Sequence, residues 1–137
     1  MSPEDHTGQV HASMPFAALL GVETVTGTAE EIRARLAWDA GRCTSGGVLH
    51  GGALMGLADT VGGLVAFLNL PEGSAGTTTI ESKTNFFRGV RSGVVEAVSR
   101  PLHAGRTTIV VDTDLFDDRG KRVARVTQTQ AVLWPRA

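Results

Sequence analysis

Residues 47–71 read GVLHGGALMGLADTVGGLVAFLNLP, and this stretch decides the fold. From Gly51 to Asn69 the pattern suits one long helix, which Pro71 and Gly73 stop. With successive residues about 100° apart, Leu54, Leu57, Ala58, Val61, Val65 and Leu68 share one stripe, the face expected to meet a sheet. The opposite face carries Gly56, Thr60 and Gly63, small residues where a surface helix carries charges. Between Cys43 and Pro71 the one formally charged residue is Asp59, in a chain that is 20% charged overall. A helix without a charged face is covered on all sides. A chain of 137 residues does not easily cover one alone, so a second copy of the chain is the simplest cover.

The flanks of this helix read mostly as strands. Residues 1–13 read as a mobile leader, and 14–20 as a short helix ended by Gly21. Strand patterns follow at 22–26 and 29–38. In the second, Ile32, Ala34, Leu36 and Trp38 alternate with Glu31, Arg33 and Arg35. Residues 39–49 form a glycine-rich loop. After the helix the period of two returns at 77–87, 93–101, 106–116 and 121–133. In the first of these, Ile80, Ser82, Thr84 and Phe86 fall on one face and Thr79, Glu81, Lys83, Asn85 and Phe87 on the other. The turn Asp117-Asp118-Arg119-Gly120 makes the last two a hairpin. The expected fold is α+β: one domain over 14–137, with a mostly antiparallel sheet of five to six strands packed on one helix.

Composition narrows the function. Thirteen basic against fourteen acidic residues give a net charge of −1, which argues against nucleic acid as the main partner. The single cysteine, Cys43, excludes an internal disulfide and fits a reducing compartment. The first residues lack the basic and apolar regions of a signal peptide. The glycines of 46–70, with His50, Asp59, Thr60 and Asn69, disfavour a membrane span. The expectation is a cytoplasmic protein with no membrane partner. No Cys/His cluster suggests a metal site, and no Walker or dinucleotide motif suggests a nucleotide cofactor, so neither is expected.

Asp59 lies mid-helix, where N-capping does not explain it. It sits on the flank with Met55, Gly62 and Ala66, and it reads as a candidate buried acid. It is either a structural Asp bonded to a neighbouring strand or solvent, or a carboxylate held in a cleft as nucleophile or general base. His50-Gly51-Gly52 sits at the helix N-terminus, where the first N–H groups lack internal partners. Glycines leave that backbone open to a ligand, which makes an oxyanion site for a carbonyl; the alternative is a tight loop in which they serve geometry alone. His50 is either a hydrogen-bonding residue or a base. The eight residues from Gly51 to Asp59 rise roughly 12 Å, too far for one helix to serve one carbonyl with both groups. Two antiparallel copies of the helix remove the difficulty. The expected sites are therefore two, across a twofold interface, each taking Gly51 from one chain and Asp59 from the other.

The run Gly47-Val48-Leu49-His50-Gly51-Gly52-Ala53 followed by Leu57-Ala58-Asp59 resembles the signature of hotdog-fold acyl-CoA thioesterases, in the phenylacetate-pathway and Arthrobacter-type 4-hydroxybenzoyl-CoA branches. Residues 79–88, 101–106 and 123–125 are similar too, so the resemblance spans roughly residues 15–133. It implies a long helix wrapped by a curved sheet, dimers that often pair into tetramers, and active sites at the dimer interface. It implies that the Gly51 N–H polarises the thioester carbonyl and that Asp59 is the catalytic carboxylate. It also implies that Thr79 helps hold the attacking water and that His50 supports. Thr44 stands where relatives often carry Asn or Gln. Gly52 completes the glycine motif.

A thioester is already activated, so an oxyanion site and a carboxylate suffice for its hydrolysis. The expected substrate is an acyl-CoA or aroyl-CoA. Arg88, Arg91 and Arg106 are candidates for the CoA phosphates, or solvated surface arginines. Phe16, Leu20, Met55 and Gly62 are the expected lining of the acyl pocket. A hotdog acyl-CoA hydratase and a non-catalytic acyl-CoA binding module are the alternative readings.

Overall fold

A computed structural model describes residues 3–136. Its strands are β1 (Glu4–Asp5), β2 (Glu23–Thr28), β3 (Glu31–Ala37), β4 (Gly76–Phe86), β5 (Val94–Ala104), β6 (Thr108–Phe116) and β7 (Arg122–Leu133). Its helices are α1 (Thr7–Ser13), α2 (Pro15–Leu20) and α3 (Gly51–Leu68). The strands form one sheet in the order β1-β2-β3-β5-β6-β7-β4, every neighbouring pair antiparallel. Helix α3 touches every strand from β2 to β7, so a single helix lies across nearly the whole sheet.

The expected stripe is the buried one. Leu57, Ala58, Val61 and Val65 are fully buried against Ile32, Leu36, Val95, Ile109, Val111 and Leu115. Each large apolar side chain buried this way contributes about 1.5–3 kcal/mol relative to exposure. By length and composition α3 could also cross a bilayer, but its apolar surface is used here against the sheet.

The sheet's far face is ionic. Arg33 lies 2.8 Å from Glu31 and 3.0 Å from Glu96, and Asp114 lies 2.8 Å from Arg125 and 3.2 Å from Arg122. The hydrogen bond from Arg125, aided by the charge of that side chain and by Arg122, holds the Asp114 carboxyl below its ordinary value of 3.8.

Two expectations need correction. The leader is packed over its described part. Glu4 and Asp5 pair with Gly27 and Thr26, which adds a seventh strand to the sheet. Helix α1 buries Val10, and His6 and His11 bond through Nε2 to the carbonyls of Gly27 and Val22. Met1, Ser2 and Ala137, which the leader and domain readings also covered, lie outside the described residues. Helix α3 is left open by its own chain along one stripe, as expected for a helix that one chain does not cover alone: Gly52, Met55, Asp59 and Phe67 are exposed there. The second correction is that β4 does not keep its alternation. Thr79 pairs with Gln130 and Glu81 with Thr129, so Ile80 is an extra residue in a bulge. The bulge brings Thr79 onto the helix-facing side with Ser82, Thr84 and Phe86.

Asp114→Asn should cost about 0.5–1 kcal/mol at neutral pH, since its arginine partners are partly exposed. A depressed carboxylate stabilises above its unfolded value and loses that stabilisation as pH falls through the folded value. The difference between the two proteins in urea melts should therefore be full well above pH 3.8 and vanish in stronger acid.

Candidate active site

Asp59 stands on the open flank of α3, and its Oδ1 accepts a hydrogen bond from the Thr79 hydroxyl at 3.0 Å. The bulge in β4 makes this contact, since it turns Thr79 toward the helix. Gln130 Nε2 donates to the Thr79 oxygen at 2.7 Å and also to Gln128 Oε1. Gln128 Nε2 donates to the carbonyl of Ala58 at 3.3 Å. Both glutamines are buried, at 0% and 1% exposure. A cavity of about 570 Å³ opens beside Asp59 and Thr79, with Val10, Met14, Phe16 and Phe67 among its walls. Its walls are mostly apolar, and Asp59 is the charged group on them.

The start of α3 is built differently. Gly46 and Gly47 both take positive φ (81° and 75°), a conformation that favours glycine, and the loop they form leads the chain into the helix. The Trp38 indole donates to the Gly47 carbonyl at 3.0 Å. His50 is the N-cap: its Nδ1 accepts from the Gly52 N–H at 2.8 Å, so the neutral ring carries its proton on Nε2. The N–H groups of Ala53 and Leu54 go to the His50 carbonyl. Among the described residues the Gly51 N–H has no partner. Gly51 lines a second cavity with Val48, Leu54, Phe86 and Arg88, separate from the one at Asp59.

The structure thus joins Asp59 to Thr79, and Gly51 to Arg88, and keeps the two pairs apart within one chain. Phe16 borders the Asp59 cavity and a third hollow that holds Leu20, His50 and Gly52. Met55 is half-exposed on the open stripe and borders neither cavity. Thr44 is exposed on the loop, its N–H bonded to the Val48 carbonyl, and it also borders neither. The Arg91 guanidinium donates to the Gly46 carbonyl at 3.1 Å. Arg106 stacks on the Trp134 ring at 4.3 Å. Gly62 does not border the Asp59 cavity. It is buried against the sheet, where a Cβ would overlap the Gln128 amide. Its neighbour Gly63 borders the cavity and has no atom within 4 Å of a would-be Cβ.

Sequence reasoning missed Gln128 and Gln130, and the contribution of α1 to the cavity wall. The signal for the glutamines was present. They occupy two successive inward positions of β7 between Val126 and Val132, where alternation calls for apolar residues.

One long helix laid across a single antiparallel sheet is the hotdog fold. The chain belongs to the thioesterase superfamily, whose family model matches residues 46–124. It is similar to the thioesterase PA1618 of Pseudomonas aeruginosa, 36% identical over 121 residues that span 87% of this chain and 83% of that one. The crystal structure of a mutant of that protein has a TM-score of 0.86 and 34% identity, covering 93% of each chain. The 1,4-dihydroxy-2-naphthoyl-CoA hydrolase of Escherichia coli is 34% identical over 87 residues, 64% of this chain and 63% of that protein. The PaaI protein of the E. coli phenylacetic acid degradation operon shares the fold, with a TM-score of 0.80 at 19% identity over 92% of this chain and 89% of that one.

The two adjacent glycines should respond oppositely to alanine. Gly62→Ala should destabilise by about 1–3 kcal/mol, because the Gln128 amide must move. Gly63→Ala should be neutral or stabilising by up to about 1 kcal/mol, through helix propensity. Denaturant melts of both variants distinguish the two positions.

Proposed function

We propose that this thioesterase hydrolyses an acyl-CoA or aroyl-CoA to the free acid and CoA, with Asp59 as the reacting carboxylate and the Gly51 N–H as oxyanion donor. The observation that carries the reading is Asp59, tied by one oxygen to Thr79 on the wall of a mostly apolar cavity. The thioester carbonyl takes negative charge as it is attacked, and the unpartnered Gly51 N–H at the positive end of α3 suits that charge. Asp59 either attacks the carbonyl, forming a mixed anhydride that water then opens, or takes a proton from the attacking water. In both routes the C–S bond breaks and the sulfur leaves as the CoA thiolate. The capping bond at His50 Nδ1 supports a structural role for that residue at the oxyanion site. Thr79 holds Asp59 or the water beside it.

The two groups belong to different copies of the chain in this reading. Within one chain they line separate cavities, and their helical separation is roughly 12 Å. Strand β4 ends the sheet with one unpaired edge, and Ile80, Phe86 and Phe87 are exposed on or beside it. An edge of that kind favours pairing with a second copy, which would bring the helix N-terminus of one chain to the middle of the other. Dimers of this kind could pair further into tetramers. Arg88, beside Gly51, is the better-placed candidate for a CoA phosphate. The hydrolase from E. coli named above acts on an aroyl-CoA, which supports aromatic thioesters as the first to try. A cytoplasmic location agrees with such a substrate.

Asp59→Asn should lower kcat on the order of a hundredfold or more without loss of fold. A thiol-release assay over short, long and aromatic acyl-CoAs measures it, and near-normal hydrolysis by the variant would sink the assignment. Single turnover in ¹⁸O-labelled water separates the two routes, since only the nucleophilic one puts label into Asp59.

A further inference from the structure

We infer that Gln130, oriented by Gln128, is a positioning residue that fixes the direction of the Thr79 hydroxyl proton, so that Asp59 keeps Oδ2 free to react. The inference rests on Asp59 being the reacting carboxylate. The Ala58 carbonyl can only accept, so the Gln128 amide must turn its nitrogen toward it, at 3.3 Å. That leaves Gln128 Oε1 facing Gln130, which must answer with its own nitrogen. The same nitrogen lies 2.7 Å from the Thr79 oxygen and can only donate there. The hydroxyl oxygen is thereby an acceptor toward β7, and its single proton points to Asp59 Oδ1 at 3.0 Å. At the other end of the Gln130 amide, the Thr77 hydroxyl lies 3.2 Å from Oε1 and 2.8 Å from the Ala131 carbonyl, which takes its single proton, so the orientation of Gln130 is set from the Gln128 side.

The relay therefore leaves α3 at Ala58, crosses two side chains of β7 and one of β4, and returns to α3 at Asp59. Every polarity along it follows from the first. Gly62 is an independent sign that the space is kept for this purpose. A side chain there would occupy the place of the Gln128 amide, and the residue at that helix position has none. The two glutamines are buried, so solvent does not compete for the amide groups that set the order.

Gln130→Met keeps the length of the side chain and removes its donor. On benzoyl-CoA or hexanoyl-CoA, whichever the unmodified protein hydrolyses faster, Gln130→Met should lower kcat about tenfold or more and leave KM within about twofold. Because Gln130 acts through Thr79, the double variant Gln130→Met/Thr79→Val should be no slower than Thr79→Val alone. Gln128→Met, one link further back, should show the same dependence on Thr79 with a smaller loss, and it carries the test if Gln130→Met does not fold by circular dichroism. A kcat within about twofold of the unmodified protein for the folded variants, or losses that multiply in the double variant, would overturn the assignment. Asp59→Asn in the same assay separates the causes. If that variant is inactive while Gln130→Met is normal, the relay alone falls. If it hydrolyses normally, the reading of Asp59 falls, and the relay with it.

Discussion

The contact between the apolar stripe of α3 and the inner face of the sheet fixes the position of everything else. Leu57, Val61 and Val65 meet β3, β5, β6 and β7 with no exposed area left. Turning the helix by one residue, about 100°, would lift that stripe off the sheet and forfeit several buried side chains at once. The helix has therefore one stable rotation. That rotation puts Asp59 on the open flank, and sets Gly51 at the end where β4 finishes. The two positions proposed for the chemistry have their directions decided by residues that take no part in it.

The buried polar groups divide into two kinds. Ser99 and Thr113 face each other on β5 and β6 and share one hydrogen bond at 2.9 Å. That pair closes on itself and leads nowhere. The Gln128–Gln130 pair is equally buried, yet its bonds run outward to a threonine and then to the one acid of α3. Partners for buried amides are needed for stability in any fold. Here the partners supplied happen also to orient a carboxylate at a cavity wall. The sheet's far face, by contrast, carries the ion pairs that keep it wet, and it contributes nothing to the cavity.

Much of this was legible in the sequence. The charge-free run gave the helix, its apolar stripe and the isolated acid. Alternation gave six strands, and the relation between Gly51 and Asp59 followed from helical rise alone. What escaped was set by contacts distant in the chain. Val10 is a single apolar residue between Gln9 and His11, without periodicity. Its helix is held by the pairing of Glu4 and Asp5 with β2, and by two histidine rings on backbone carbonyls. Gly62 and Gly63 are indistinguishable as letters, and only the approach of Gln128 separates them. One chain leaves the flank of Asp59 open, as the charge-free run and the length of the chain led one to expect.

The extra residue at Ile80 also bears on how the protein tolerates insertion and deletion. In a regular strand, removing one residue shifts the remainder by half a period. In β4 the loss of Ile80 would instead close the bulge, leaving Thr79 opposite Gln130 and Glu81 opposite Thr129, each facing as it does now. A deletion of that one codon would keep the strand, its hydrogen-bond partners and almost all of the core. It would also leave Thr79 on the helix-facing side, beside Asp59. Ile80 is therefore a position at which the strand and the contact it makes with α3 both tolerate the loss of a residue.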